Sequence, residues 1–215
     1  MHPAGPRPVQ LRYETGQTGE QYVRTQAWRD ARLERCPNHP RGGCSFARHG
    51  TYARKSPRGT QIARWYCRES HTTFSLLPDC LAARFPGELD TLEAVVAPAE
   101  QAQSLAGAAD ALRTDTVELP GAMRWVRRRV RLVHHVLSLV IGLLPEPLAR
   151  CIAEMGAVRT RLDTESALRA LRTLVAEQLP VLPAPLGFHP HRLGATNRTR
   201  ARQHKMGPDP PPVPA

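Results

Sequence analysis

Five side chains that can ligate a metal stand close together in the first third of the chain. Cys36 and His39 form a Cys-x2-His pair, Cys44 follows, and Cys67 with His71 forms a Cys-x3-His pair. Structural zinc takes four thiolate or imidazole ligands in a tetrahedron, and two ligands separated by two to four residues can be presented by one tight turn. Two such turns joined by a hairpin make a zinc ribbon. Cys36 and Cys67 each anchor a turn and are the firmest ligands, with His71 next. His39 and Cys44 compete for the remaining place. Cys36 and Cys44 lie among Pro, Gly, Asn and Arg, where a thiol packed for hydrophobicity has little reason to be. Cys151 sits in an apolar run, and Cys80, after Leu-Leu-Pro-Asp, reads as a packed thiol. His49 reads as a hairpin residue. Five cysteines without a visible secretory segment argue against a disulfide framework.

The second constellation is cationic. Arg124, Arg127, Arg128 and Arg131 recur at i, i+3, i+4 and i+7. They lie roughly opposite an apolar stripe of Met123, Val126, Val130, Val133, Leu137 and Val140. One helix face can then be buried while the other meets phosphates or guanine edges. Five arginines between 124 and 131, with no interleaved Glu, repel one another unless an anionic partner is present. A second basic group, Arg48, Arg54, Lys55, Arg58 and Arg64, falls on the hairpin between the two Cys/His turns. These nine cations are the candidate DNA contacts.

The elements that must position these groups follow from local pattern. Thr18-Gly-Glu-Gln21 is a capping box, and Val23, Ala27, Trp28 and Ala31 follow at helical spacing, which predicts a helix over 18–34 leading into Cys36. Phe46 to Tyr52 and Gln61 to Cys67 are strand-like runs, and Ser56-Pro-Arg-Gly59 between them is a hairpin loop. Beyond Pro86 the chain is alanine-rich, with helices expected over 88–103, 104–113 and 121–144. Two further helices are expected over 148–155 and 164–179, the second capped by Asp163 or Thr164. From Pro180 the Pro-rich and basic text predicts a disordered tail.

Charge and length bound the rest. The chain has 215 residues and a formal charge of +11, with only two lysines, Lys55 and Lys205. That charge is uneven: +6 over 36–86, −6 over 87–123, +5 over 124–135 and +4 over 181–215. A field of this sign favours an anionic partner and says nothing of fold. The acidic block could also neutralise the arginine helix from within. The longest apolar run, Val136 to Leu144, is far short of the roughly 20 residues of a membrane span. The expectation is a cytoplasmic protein without a membrane partner. No Walker loop, G-x-S-x-G or H-E-x-x-H is present, and no run of strands follows residue 86 to carry a carboxylate triad. The adjacent pair His134-His135 diverges by about 100° on a helix and does not share a metal readily. No enzyme is expected.

Cys-Pro-Asn-His at 36–39, Arg-His-Gly-Thr-Tyr at 48–52 and Arg-Trp-Tyr-Cys-Arg-Glu-Ser-His-Thr-Thr-Phe-Ser at 64–75 resemble the N-terminal zinc ribbons of insertion-sequence transposases and their accessory proteins. In that pattern Ser70 stands at the usual second cysteine and His71 one residue later. His39 stands at the second cysteine of the first knuckle, with Cys44 as an extra. The segments 104–113 and 119–131 are similar to the helix-turn-helix that follows the ribbon in such proteins, although the break between them, Thr114 to Pro120, is longer than the usual three to four residues.

The sequence therefore predicts a mainly α fold with a small β zinc ribbon (α+β): an N-terminal helix, a zinc-bound β-hairpin, a helical bundle and a disordered C-terminal tail. The expected divisions are 1–35, 36–86, 87–180 and 181–215. The expected function is a DNA-binding protein with one structural Zn²⁺, accessory or regulatory to a mobile element, with DNA, a transposase or a second copy of itself as partner. The alternative is a zinc-ribbon interaction module that docks on a partner enzyme.

Overall fold

A computed structural model describes residues 7–114, 116–144 and 146–189. In chain order the elements are β1 (Arg7–Tyr13), α1 (Gly19–Thr25), β2 (Phe46–Ala53), β3 (Gln61–Cys67), β4 (Thr72–Pro78), α2 (Leu89–Gln101), α3 (Leu105–Leu112), α4 (Leu119–Leu143), α5 (Met155–Leu162) and α6 (Ala167–Leu174), followed by a 3₁₀ turn at Ala176–Gln178. This is an α+β fold. The chain divides into two units: the first runs to Thr91 and takes in Ser166–Phe188, and the second covers Leu92–Glu165.

The first unit is built on a mixed sheet of order β1-β4-β3-β2, in which β1 runs parallel to β4 and the other neighbours are antiparallel. The hairpin expected between the two Cys/His turns is β2–β3, closed by a loop in which Gly59 takes φ +86°. Two strands that were not among the expected elements complete the sheet. β4 (Thr-Thr-Phe-Ser-Leu-Leu-Pro) is buried along nearly its whole length, as a central strand must be. β1 places Val9 against Phe74 and Leu11 against Leu76 at the sheet edge. Its Val9/Leu11/Tyr13 alternation is the period-2 signal of a strand, and Pro8 is tolerated at the start of an edge strand. Ala31, Ala63 and Leu76 form a core with Leu11, Tyr13, Trp28, Leu33 and Trp65 packed around it.

α1 begins as expected, with both arms of the Thr18/Gln21 capping box made, but it ends at Thr25 rather than near 34. Gln26 turns left-handed at φ +52°. The carbonyls of Trp28 and Arg29, which a longer helix would have used, accept instead from the Arg48 guanidinium. Trp28 and Ala31 are thereby laid onto the sheet.

The expected tail also begins too early. Leu182, Ala184, Leu186 and Phe188 are all buried in the first unit, because apolar residues recur along the Pro-rich segment and are sequestered there. Gly187 packs against the backbone of Leu182 so closely that a side chain would collide with it. Residues 190–215 lie outside the described residues.

In the second unit α3 packs on α4 around Val95, Ala109, Ala122 and Val126. Ser104 caps α3 through its side chain, accepting from Gly107 N at 3.0 Å. The helix expected over 148–155 is a run of turns: Arg150 at φ +57° breaks it, and α5 starts only at Met155. Asp163 ends α5 in a left-handed conformation, so it does not cap α6, whose N-cap is Ser166. No helix among the described residues is long and apolar enough to cross a membrane.

Candidate metal centre and arginine face

Four of the five candidate ligands converge. One ligand atom each from Cys36, His39, Cys44 and Cys67 lies within 4.8 Å of every other. His39 Nδ1 is 3.5 Å from Cys36 Sγ and 3.4 Å from Cys67 Sγ. A tetrahedral ion with metal–sulfur bonds near 2.3 Å and a metal–nitrogen bond near 2.0–2.1 Å has ligand–ligand edges of about 3.6–3.8 Å. The four atoms therefore need only small movements to close on an ion. Three thiols and one imidazole are borderline-soft donors, unlike the oxygen sets that Ca²⁺ or Mg²⁺ require. With four protein ligands no position is left open for a reacting water, which suits a structural centre.

Local folding explains the convergence. His39 N donates to Cys36 O at 3.0 Å and Gly42 N to His39 O at 2.9 Å, so residues 36–42 form a tight double turn. Gly42 and Gly43 then take φ +83° and +81°, a region only glycine enters freely, and fold the chain back to bring Cys44 to the cluster. Cys67 ends β3, paired with Phe46 on one side and Thr72 on the other. Below the thiols, Phe46 stacks on Trp65 at 5.4 Å and meets Phe74 edge-on at 6.0 Å, an aromatic floor that excludes water.

Two further side chains, which spacing alone does not single out, tie the two turns together. Asn38 donates to Ser70 Oγ at 3.0 Å and to Thr72 Oγ1 at 3.2 Å. Glu69 accepts from Ser45 N at 2.8 Å and from Cys67 Sγ at 3.6 Å. The one signal for Asn38 in the sequence is its position between two ligands.

The electrostatics call for a cation. Partial desolvation, with hydrogen bonds to the Cys36 and Cys67 sulfurs, pushes the Cys44 thiol up to about 12. Burial also opposes ionisation of Cys67, but hydrogen bonds from Ser70 and the neighbouring thiols outweigh it and hold that group at about 7. Ionising one thiol of the cluster thus makes the next harder to ionise, a conflict that a bound divalent cation removes.

His71 stands outside the cluster. It takes φ +47°, and its Nδ1 lies 3.1 Å from the Tyr66 hydroxyl. The fourth place goes to Cys44 alongside His39, so the two rivals are both present and His71 is not.

The basic candidates separate into two groups. On the hairpin, Arg48 donates to Trp28 O and Arg29 O. Arg54 donates to Ala82 O at 3.0 Å and Phe85 O at 2.6 Å. Arg64 reaches Thr51 O at 3.4 Å and lies over the Tyr52 ring. These three brace the first unit, while Lys55 and Arg58 are exposed. On α4 the expected stripe is inward, with Val126, Val133, Leu137 and Val140 fully buried, and Arg124, Arg127, Arg128 and Arg131 lie on the outward side. Arg129 is the exception: it is buried, its guanidinium 3.7 Å from the centre of the Trp125 ring.

Among the described residues, several carboxylates of the acidic block are engaged elsewhere. Glu93 binds Arg159 at 3.0 Å, Asp110 binds Arg113 at 2.7 Å, and Glu100 accepts from Met155 N and contacts His134 at 2.8 Å. Arg124, Arg127 and Arg131 pair with no carboxylate among the described residues. No protein-family model, curated protein or solved structure matches the chain.

Proposed function

We propose that the chain is a DNA-binding protein in which a structural Zn²⁺, held by Cys36, His39, Cys44 and Cys67, stabilises the first unit and α4 contacts DNA. The observation that carries the DNA reading is the outward row Arg124, Arg127, Arg128 and Arg131 on a 25-residue helix whose opposite face is buried. An α-helix fits the major groove of B-DNA, and arginine there serves both phosphates and guanine edges. We read the order α3, loop, α4 as a helix-turn-helix-like unit with a long turn, on the resemblance of 104–131. The role as an accessory or regulatory protein of a mobile element rests on the sequence resemblance over 36–75 and 104–131.

The test is duplex DNA binding across salt. Replacing Arg127, Arg128 and Arg131 together by Ala is expected to weaken binding by at least tenfold. It should also flatten the plot of log K against log[salt] by about 3, close to one unit for each phosphate that is no longer neutralised. A salt-independent affinity, or a triple variant that binds as tightly as the parent, contradicts the reading. A second reading, a helix-mediated interaction module, is favoured by Leu139 and Leu143. These are 40% and 47% exposed one helical turn apart at the C-terminal end of α4. In that case the triple variant keeps its DNA affinity, whatever that is, and the chain self-associates.

A further inference from the structure

The first unit contains a concave site that shares no residue with the four metal ligands. It is a cavity of about 290 Å³ between the end of β2, the hairpin loop and the loop after β4, and its lining includes Gln10, Tyr52, Arg54, Lys55, Arg84 and Phe85. Three cationic side chains share this lining and no acidic side chain does.

Two of the cations are fixed in place by the protein's own backbone. Arg54 is held by the carbonyls of Ala82 and Phe85, and Arg84 donates from Nε to Phe188 O at 2.8 Å. Both guanidinium groups are partly desolvated, and burial lowers the pKa of each. Neither makes an ion pair with a carboxylate among the described residues. Bringing positive charge together and removing water without a counter-ion is costly unless an anion completes the site. Gln10 adds a further unfilled group: its Oε1 is buried without a hydrogen-bond partner. As an acceptor, this oxygen suits an N–H or O–H of the ligand beyond the phosphate rather than the phosphate oxygens themselves.

We propose that this cavity binds the phosphate monoester of a nucleotide. Anchored arginines present planar forks of N–H donors that match a phosphate's oxygens, and Lys55 adds a mobile point charge. The Tyr52 and Phe85 rings supply apolar wall for the part of the ester beyond the phosphate, which favours a nucleotide over the bare anion. The site differs from the arginine face of α4 in both location and ligand, since a duplex backbone offers phosphodiesters on a convex rod.

The test is calorimetric titration of the metal-loaded chain with deoxythymidine 5′-monophosphate, glycerol phosphate and inorganic phosphate, with no duplex present. The nucleotide is expected to bind saturably, at least tenfold more tightly than either of the other two. Lys55→Gln and Arg84→Gln should each weaken it by tenfold or more. Lys55 sits on the hairpin loop rather than in the core, so its variant keeps the thermal unfolding profile even if Arg84→Gln does not. Equal affinity for nucleotide and inorganic phosphate overturns the nucleotide assignment. No saturable binding up to 10 mM ligand, or binding that Lys55→Gln and a folded Arg84→Gln leave unchanged, overturns the site. Because no duplex is used, either failure leaves the α4 reading standing.

Discussion

Cys36→Ser or Cys67→Ser is expected to take the purified protein from about one bound metal per chain to almost none, and to loosen the part of the first unit around the cluster. The reason lies in what surrounds the four ligands. Between Cys36 and Phe46 only Cys36 is buried, so this segment has almost no core of its own. Its shape depends on a few turn hydrogen bonds and on whatever joins its ligands to Cys67. A structural zinc site contributes roughly 10–16 kcal/mol of apparent binding free energy at neutral pH, and that energy is folding energy. Three remaining ligands hold the ion far less tightly, and the Cys36, Cys67 and Phe74 cluster opens to water. Metal analysis after dialysis reads the first effect, and limited proteolysis between residues 37 and 45 reads the second. Cys151→Ser and His71→Ala serve as controls, and both should keep their metal. A His71→Ala protein that loses its metal would contradict the ligand set.

Arg172→Met is expected to be the most destabilising single substitution outside the metal centre. Arg172 is only 1% exposed, yet it carries a guanidinium. Its donors reach Asp79 O at 3.0 Å, Pro185 O at 2.8 Å, Leu186 O at 3.0 Å, and also Pro78 O and Leu81 O. It therefore joins α6 to the end of β4 and to the packed segment after the 3₁₀ turn. Methionine fills much of the same volume but donates nothing, so the carbonyls lose their donor inside the core. Each unsatisfied buried carbonyl costs about 1–3 kcal/mol. Relaxation and solvent entry recover part of that, so the net loss is about 3–5 kcal/mol. At about 4–8 °C per kcal/mol for a unit of this size, the midpoint of thermal unfolding falls by roughly 12–40 °C. Arg172→Lys should recover only a fraction, because one ammonium cannot span carbonyls on opposite sides. A shift below about 3 °C for Arg172→Met would contradict this role.

Parts of this architecture were open to reading from residue order, for local reasons. The Phe46 to Tyr52 and Gln61 to Cys67 runs carried strand composition with a turn between them, and α2, α3 and α4 followed alanine-rich periodicity with Ser104 at a cap. The β1 alternation was present as well, but a strand paired only with the distant β4 has no local partner to mark it, and residues 7–17 were assigned no element. α1 ends where Gln26 turns left-handed, and the Trp28 and Arg29 carbonyls beyond it are taken by Arg48, a long-range partner that local pattern does not contain. The same limit applied to the ligands. Cys44 and His71 were both plausible by spacing, and the choice between them depends on two positive-φ glycines and on the Tyr66 hydroxyl. Among the hairpin cations, Arg54 and Arg58 look alike as letters. Only the placement of the Ala82 and Phe85 carbonyls separates an internal strut from a surface charge. The Pro-rich text after residue 180 pointed to a tail, yet Leu182, Leu186 and Phe188 bury in the first unit, where Arg172 of α6 binds the carbonyls of Pro185 and Leu186. The arginine face of α4 was legible because both its faces are contained in one helix.

The metal centre requires three sulfurs and one nitrogen to close on a single ion. X-ray absorption at the zinc edge, on protein purified without chelator, tests this directly. The expected spectrum shows about three sulfur scatterers near 2.3 Å and one nitrogen near 2.0–2.1 Å. A shell of two sulfurs and two nitrogens would bring His71 back in place of Cys44. That result, or folded protein that contains no metal at all, would contradict the proposed centre.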